Sequence, residues 1–320
     1  MGCGSRLDSG IFKPVGAASL RVTDIIDGDA IAAATRDELS GAVETLADAG
    51  HRPTLATVLM SPDPASETYI AMKQDDCEEL GIGTRDIRLD TDASAEALFE
   101  TIDELNEDDS VDGLLVQSPV PDRVDYREVV ERLDPRKDVD GFHPENIGRL
   151  VAGYPRYKPC TPHGIQRMLA ATGIDTAGAH AVVIGRSRIV GKPMANLLFG
   201  RGPGGNATTT VCHSHTDDLA AKTRQADILV AAAGVPELVD GSMIQEGAVV
   251  VDVGINRVQR EGESELVGDV EFESAREVAG AITPVPGGVG PMTRAMLLYN
   301  TTKAASRQSG IDADLPALDV

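Results

Sequence analysis

HAVVIGRSRIVGKPMANLL, residues 180–198, passes from an apolar stretch of strand type into a turn carrying Gly185 and Gly191, then into a helical segment with Pro193 near its first turn. A strand, a glycine turn and a helix N-terminus in succession make an anion site, because unpaired backbone N–H groups and the helix dipole converge on one point. The stretch is not a clean G-x-G-x-x-G. Arg186 stands where the middle glycine would let the backbone approach a pyrophosphate, so an ordinary βα turn and a Rossmann-like turn both fit the pattern. Arg186, Ser187 and Arg188 bring guanidinium and hydroxyl donors to the turn, which suits an extra phosphate monoester and favours NADP over NAD.

Around this stretch, short runs rich in Val, Ile and Leu alternate with helical segments: LATVLM from 55, DGLLVQ from 112, TTTVCH from 208, DILVAAAG from 227 and AVVVDVG from 248. Such alternation reads as an α/β protein with mainly parallel sheets. Residues 112–161 hold a stretch dense in Pro, Asp and Gly, which reads as functional loop and connection. The expected organisation is an N-terminal extension over 1–20, a three-layer α/β catalytic domain over 21–160, a Rossmann-like nucleotide domain over 161–283, and a last helix from about Pro291 to Ser306 within a returning segment, 284–308, that completes the first domain. Beyond it, 309–320 reads as an acidic, frayed tail.

The 320 residues carry 51 acidic against 29 basic side chains, a formal charge of −22, which argues against nucleic acid as a partner. The acid is spread through every segment, as on proteins of a salt-rich cytoplasm, where negative charge keeps molecules dispersed. In about 1 M salt the Debye length is about 3 Å, so the global charge would barely repel an anionic ligand from local arginines. No apolar run is long enough to span a membrane, and the first twenty residues lack a secretory pattern, so the chain is expected to be cytoplasmic. MGCGSR begins like a myristoylation site but has Arg6 where Ser or Thr is wanted. Cys3, Cys77, Cys160 and Cys212 lie far apart with no C-x-x-C pair, which fits a reducing compartment and no zinc ribbon. CHSH, 212–215, offers thiol and imidazole, but alternation along a strand would separate them, so no metal is expected and Ser214 is read as a hydroxyl contact to a cofactor.

In SETYIAMKQ, 66–74, Asp63 and Pro64 just upstream read as cap and first position of a helix over 65–80, which stacks Tyr69 on Lys73 at i,i+4. A pair at that spacing is commonly a solvated surface pair. Gln117, however, ends the strand DGLLV where α/β proteins place their chemistry, although a glutamine there can also tie down a loop backbone. Asp140 lies in KDVDGFHP, a loop too polar for a packing element, and Asp138 beside it reads as a turn cap. Cys77, one turn on from Lys73, reads as core packing. The glycines of PVPGGVGP permit close backbone approach to a planar ligand while its prolines stiffen the loop.

Tyr69-x-x-x-Lys73, VQSPVP (116–121), KDVDGFHP (137–144), KPCTP (158–162), GRSRIVGKPM (185–194), DVGIN (252–256) and TPVPGGVGPMT (283–293) together closely resemble the bifunctional methylenetetrahydrofolate dehydrogenase/methenyltetrahydrofolate cyclohydrolase family, over about Ile25 to Ala304. The resemblance implies NADP-dependent oxidation of 5,10-methylenetetrahydrofolate to the methenyl cation and hydrolysis of that cation to 10-formyltetrahydrofolate. It makes Lys73 the catalytic lysine, Tyr69 the ring on the folate, Gln117 the lysine's partner and Asp140 the acid that binds the pterin. Val116, Ser118, Pro286, Gly287, Gly288, Val289 and Gly290 would complete the folate site, and Gly185, Arg186, Ser187, Ser214 and Ile255 would hold NADP. A homodimer through the nucleotide domains is also implied.

Hydride loss from a carbon between two nitrogens leaves a cation that their lone pairs stabilise, so the first step needs positioning more than proton transfer. Water attack does need proton management, and a lysine near its ordinary pKa of about 10.4 is a poor base at neutral pH. A wall without a nearby carboxylate is therefore expected around Lys73, with Asp140 turned to the pterin. Two departures stand out. Ser118 replaces the family's usual leucine, which implies a less apolar wall. GRGPGGN, 200–206, is about four residues longer than the usual connection, at the sheet edge away from the cofactor. Two other readings are another two-domain NADP dehydrogenase, such as one resembling shikimate dehydrogenase, and a non-catalytic nucleotide module; neither explains PVPGGVGP together with the polar set.

Overall fold

The computed structural model describes residues 23–61, 63–260 and 262–317. The expected extension over 1–20 and the last three residues of the tail lie outside the described residues. The first part of the chain forms β1 (Asp24–Ile25), α1 (Gly28–Asp48), β2 (Thr54–Leu59), α2 (Pro64–Leu80), β3 (Gly83–Arg88), α3 (Ala95–Glu107), β4 (Gly113–Gln117), α4 (Tyr126–Arg132), α5 (Pro144–Val151) and α6 (Cys160–Ala171). The second forms β5 (His180–Ile184), α7 (Gly191–Phe199), β6 (Thr208–Cys212), α8 (Leu219–Thr223), β7 (Ile228–Ala231), β8 (Val249–Asp252), β9 (Asn256–Arg260), β10 (Glu263–Val267), α9 (Phe272–Arg276), β11 (Ala281–Ile282) and α10 (Val289–Ser309).

Every apolar run singled out in the sequence is a strand. Two of them differ in depth. All of β7 is buried, as befits a parallel strand covered on both faces, whereas β6, at the sheet edge, buries only Cys212. A three-stranded parallel sheet has the order β3-β2-β4, and a six-stranded parallel sheet the order β1-β11-β8-β7-β5-β6. β9 and β10 form a separate antiparallel hairpin. In α1, Ala32, Thr35, Leu39, Ala42, Val43 and Leu46 recur at helical spacing and are buried, and Leu39 and Leu46 each contribute about 2 kcal/mol by leaving water. That stripe packs with α6 and α10 in one core, where Gly164 of α6 lets Met292 of α10 approach so closely that an added Cβ would lie 3.0 Å from it.

Three features depart from the expected organisation. Asp24–Ile25, assigned by sequence to the first domain, pairs in parallel with β11 inside the six-stranded sheet, a strand too short to register as a periodic run. The last helix starts at Val289 and ends at Ser309, so Pro291 sits in its first turn, where no N–H is needed. Residues 311–315 are not frayed: Ala313 is buried and Ile311 and Leu315 pack on the core, because their alternation with acids puts all three on one side. Among the described residues no helix is long and apolar enough to cross a membrane.

Candidate active site

α2 begins where the sequence indicates, with the Asp63 side chain accepting the Ala65 N–H and Pro64 in first position, and it ends on Gly81 with φ 78°. Its buried face is Ser66, Ile70, Lys73, Asp76 and Cys77, so Lys73 is a core-facing residue, 7% exposed, and no solvated partner of Tyr69. Lys73 Nζ donates to Gln117 Oε1 at 3.0 Å and lies 5.3 Å from the centre of the Tyr69 ring. Gln117 Nε2 donates to the Ser118 carbonyl at 2.8 Å, which fixes the amide with its oxygen toward the lysine. The Ser118 side chain itself is exposed, so its polarity does not enter the wall around Lys73.

Burial lowers the Lys73 pKa, which favours the neutral amine. The expected absence of a nearby carboxylate is not met: the field of Asp140 reaches Lys73 and opposes the shift, and burial prevails over it. Asp140 is itself pushed up to about 6 by burial, against the pull of Lys73. Burial also raises the Tyr69 phenol and carries the Cys77 thiol to about 12, which makes Cys77 core packing and no nucleophile.

The loop that carries Asp140 is built from its neighbours. Asp138 accepts from Phe142 N, His143 N and Asn146 Nδ2, closing the turn, and Lys137 donates to the carbonyls of Leu105 and Asp108 at the end of α3. Asn300, buried in α10, donates through Nδ2 to the carbonyls of Val139, 2.7 Å, and Lys158, 3.0 Å, so one amide clamps the Asp140 segment to KPCTP. Cys160 Sγ donates to the Val139 carbonyl at 3.4 Å. Arg294, two turns before Asn300, binds Asp76 at 2.6 Å in the turn of α2 after Lys73, and Arg36 approaches the same carboxylate at 3.8 Å. Sequence reasoning missed Asn300, Cys160 and Arg294. The signal for Asn300 was available, as a lone amide in the otherwise apolar run AMLLYN.

Val116 does not present its side chain here. Alternation along β4 sends Leu115 and Gln117 to one face and Leu114 and Val116 to the other, where Val116 is buried against α3 and α4. The segment Pro286–Gly290 runs from a cis Val285–Pro286 bond through Gly287, φ 94°, into the first turn of α10, where a Cβ on Gly290 would lie 3.9 Å from the Tyr69 hydroxyl. Its closest backbone approaches are to protein: an added Cβ on Gly28 would lie 1.8 Å from the Gly288 carbonyl oxygen, and one on Gly288 would lie 2.5 Å from that of Pro284. The glycines thus set the loop against α1 before any ligand is considered.

The second cluster lies at the C-terminal ends of β5, β6 and β8. Gly185, φ 118°, turns so tightly that a Cβ would meet the Ala232 carbonyl oxygen at 2.1 Å, and Gly191 packs on Gly185 in the same way. Ser187 Oγ accepts the N–H groups of Val190 and Gly191 at the start of α7, which leaves its proton to donate outward. Arg186 and Arg188 are exposed beside it. β6 ends at Cys212, so the strand-face argument about CHSH fails: residues 213–216 form a turn closed by Thr216 N on the His213 carbonyl, with Ser214 at its exposed tip and the two imidazole centres 6.1 Å apart. Ile255, 59% exposed, follows β8. Among the described residues no group of three His, Cys, Asp or Glu is placed to hold a metal ion. The glycine turn, the outward hydroxyl and the two guanidinium groups fit a phosphorylated dinucleotide.

Comparison with known proteins covers both parts of the chain. The family model for the tetrahydrofolate dehydrogenase/cyclohydrolase catalytic domain matches residues 26–140, and that for the NAD(P)-binding domain of the same family matches 159–309. The haloarchaeal bifunctional protein FolD 1 of Haloarcula marismortui is 69% identical over 92% of this chain and 100% of its own length. The bifunctional protein FolD of Haloquadratum walsbyi is 65% identical over 92% and 94%. The crystal structure of the Trypanosoma brucei N5,N10-methylenetetrahydrofolate dehydrogenase-cyclohydrolase, complexed with NADP and an inhibitor, superposes with a TM-score of 0.85 at 37% identity, covering 91% of this chain and 99% of that one. With both domain models matched in order across a fold that carries the buried lysine and the glycine turn, the chain belongs to the tetrahydrofolate dehydrogenase/cyclohydrolase family.

Proposed function

We infer that Lys73, Tyr69, Gln117 and Asp140 form the catalytic set of a bifunctional, NADP-dependent enzyme that oxidises 5,10-methylenetetrahydrofolate and hydrolyses the methenyl product to 10-formyltetrahydrofolate. NADP, when bound, supplies the hydride acceptor, and Gly185, Arg186, Ser187, Ser214 and Ile255 would hold it. The observation that carries the assignment is the buried Lys73 amine held at 3.0 Å by a neutral amide. A carboxylate in that position would favour the ammonium, whereas the Gln117 oxygen orients the nitrogen without adding a charge.

In the hydrolytic step water adds to the methenyl carbon, and the neutral Lys73 amine takes its proton. As the carbon–nitrogen bond breaks, the lysine returns that proton to the pterin nitrogen, and the hydroxyl gives up its own proton through the freed amine to solvent as the carbonyl forms, leaving the formyl group on the other nitrogen. The cationic substrate further favours the neutral amine. Asp140 accepts from the pterin N–H groups, Tyr69 packs on the ring, and Pro286–Gly290 line the folate, with Ser118 at the rim. The first domain, 21–160 completed by 284–308, would bind folate and 161–283 the nucleotide. A homodimer through the nucleotide domains and a cytoplasmic setting complete the reading.

Lys73→Met tests it: cyclohydrolase activity is lost while part of the dehydrogenase activity survives. Full retention of the hydrolytic step removes Lys73 from the mechanism.

A further inference from the structure

In the six-stranded sheet the chain leaves β5 for β6 on one side and then crosses back to β7 on the other, so the order of connection reverses between β5 and β7. Ligands of open parallel sheets bind in the crevice at such a reversal, beyond the carboxyl ends of the strands. One wall of that crevice is the Gly185–Ser187 turn. The opposite wall is the loop after β7, and the two touch backbone to backbone at Gly185 and Ala232.

That opposite wall is held by a single carboxylate. Asp269, 0% exposed, accepts from Ala233 N at 2.5 Å and Gly234 N at 2.9 Å through Oδ2, and from Val235 N at 3.0 Å and Asn256 Nδ2 at 2.9 Å through Oδ1. Asn256 is the residue after Ile255, so the same carboxylate fixes both the loop after β7 and the turn after β8. Three N–H groups at the crevice are thereby turned inward, which leaves phosphate recognition to the Gly185–Ser187 side. The backbone of Asp269 is anchored in turn: Asp252 Oδ1 accepts Asp269 N and Gly254 N, each at 2.9 Å, and its Oδ2 accepts Val270 N at 2.9 Å. Asp252 N donates to Thr283 Oγ1 at 2.8 Å, one residue before the Pro284–Gly290 loop.

We propose that Asp269 is a positioning residue of the nucleotide site, setting the wall opposite the phosphate turn, with its own backbone held by Asp252. The proposal rests on the functional reading above, and its test separates the two. In Asp269→Asn one carboxylate oxygen becomes an N–H donor: with the amide facing Ala233 N and Gly234 N, two acceptor bonds become donor-to-donor contacts while the side chain keeps its shape. Asp269→Glu keeps the charge but displaces it by one methylene.

Equilibrium binding of NADP by calorimetry is measured beside folate binding and cyclohydrolase turnover in the absence of nucleotide. The Kd for NADP rises at least about tenfold in Asp269→Asn, and Asp269→Glu recovers part of it, while folate affinity changes by no more than about threefold. An unchanged NADP Kd in Asp269→Asn overturns the proposal, as does a parallel loss of NADP and folate binding in both variants, which would make Asp269 a general stability residue. Failure of the unaltered enzyme to bind NADP would sink the functional reading itself.

Discussion

Gly28→Ala is the substitution whose effect can be worked most directly from the geometry. Gly28 opens α1 just after the cap, Asp27, and its N–H donates to the Gly287 carbonyl at 2.9 Å. A methyl group there would lie 1.8 Å from the Gly288 oxygen, 2.6 Å from the Gly288 carbonyl carbon and 2.8 Å from the Gly287 oxygen, all backbone atoms. Relieving the worst contact to 3.0 Å requires the two segments to part by about 1.2 Å. α1 cannot give, because Leu39, Val43 and Leu46 lock it in the core, so the Pro284–Gly290 loop moves. Overpacking of this kind costs about 1–3 kcal/mol, and a misplacement of about 1 Å in a substrate-positioning element costs about 100-fold in rate. The expected outcome is a folded enzyme with a lowered Tm and about 100-fold lower kcat/KM for the folate in both reactions, with NADP affinity little changed. Gly41→Ala is the control in the same helix. It meets nothing within 4 Å and should stabilise by about 0.5–1 kcal/mol at unchanged activity. Unaltered folate kinetics in Gly28→Ala would refute the reasoning.

Two further outcomes follow from the site and from the inserted loop. Asp140, pushed up to about 6, must be ionised to accept from the pterin, so folate affinity in equilibrium binding falls about tenfold per pH unit below about pH 6. Asp140→Asn binds weakly with a flat profile there; a sloping profile in that variant would assign the titration to another group. The sign for stability is opposite: a raised carboxyl pKa means that stability present below the unfolded value, near pH 4, is lost as pH rises through about 6, so Asp140→Asn gains in Tm at neutral pH. Shortening 200–206 leaves the KM for NADP unchanged, since the loop precedes edge strand β6 at the end away from the cofactor. The buried Gln166 amide and Thr176 hydroxyl, which donate to Gly204 and Gly205 carbonyls at 2.7 Å each, lose their acceptors, and thermal unfolding should register a loss of about 2–4 kcal/mol. A marked rise in KM would contradict this placement.

Local pattern was enough to locate the six apolar strands and the start of α2, because period and capping chemistry act within a few residues. It could not show that Lys73 is buried. The cover over that face includes Arg294, 218 positions from its partner Asp76, and no window along the chain contains both. Tyr69, Lys73 and Gln117 were legible through resemblance, whereas the field of Asp140 on Lys73 needed the loop's folded position. The direction of the Val116 side chain was not legible from the motif VQSPVP, which takes no account of strand alternation, so only the backbone of Val116 is left to line the site. Asp252, quoted only as the start of DVGIN, was given no role and Asp269 drew no notice: DVG and GDV look like strand ends, and their worth lies in backbone N–H groups that a sequence does not display. β1 and β11, two residues each, are below the length at which any periodicity can be read.

The interleaving of the two ends of the chain bears on how the protein is made. A strand at Asp24–Ile25 lies in the sheet built by residues 180–282, and the helix 289–309 fills the core beneath residues 28–171. A nascent chain emerging from the ribosome therefore cannot complete its first domain when that domain's own residues are out. The α1–α6 surface must wait, apolar and uncovered, until α10 has been synthesised more than a hundred residues later. Expression of either half alone should yield an incomplete core, and the two activities are inherited as one folding unit.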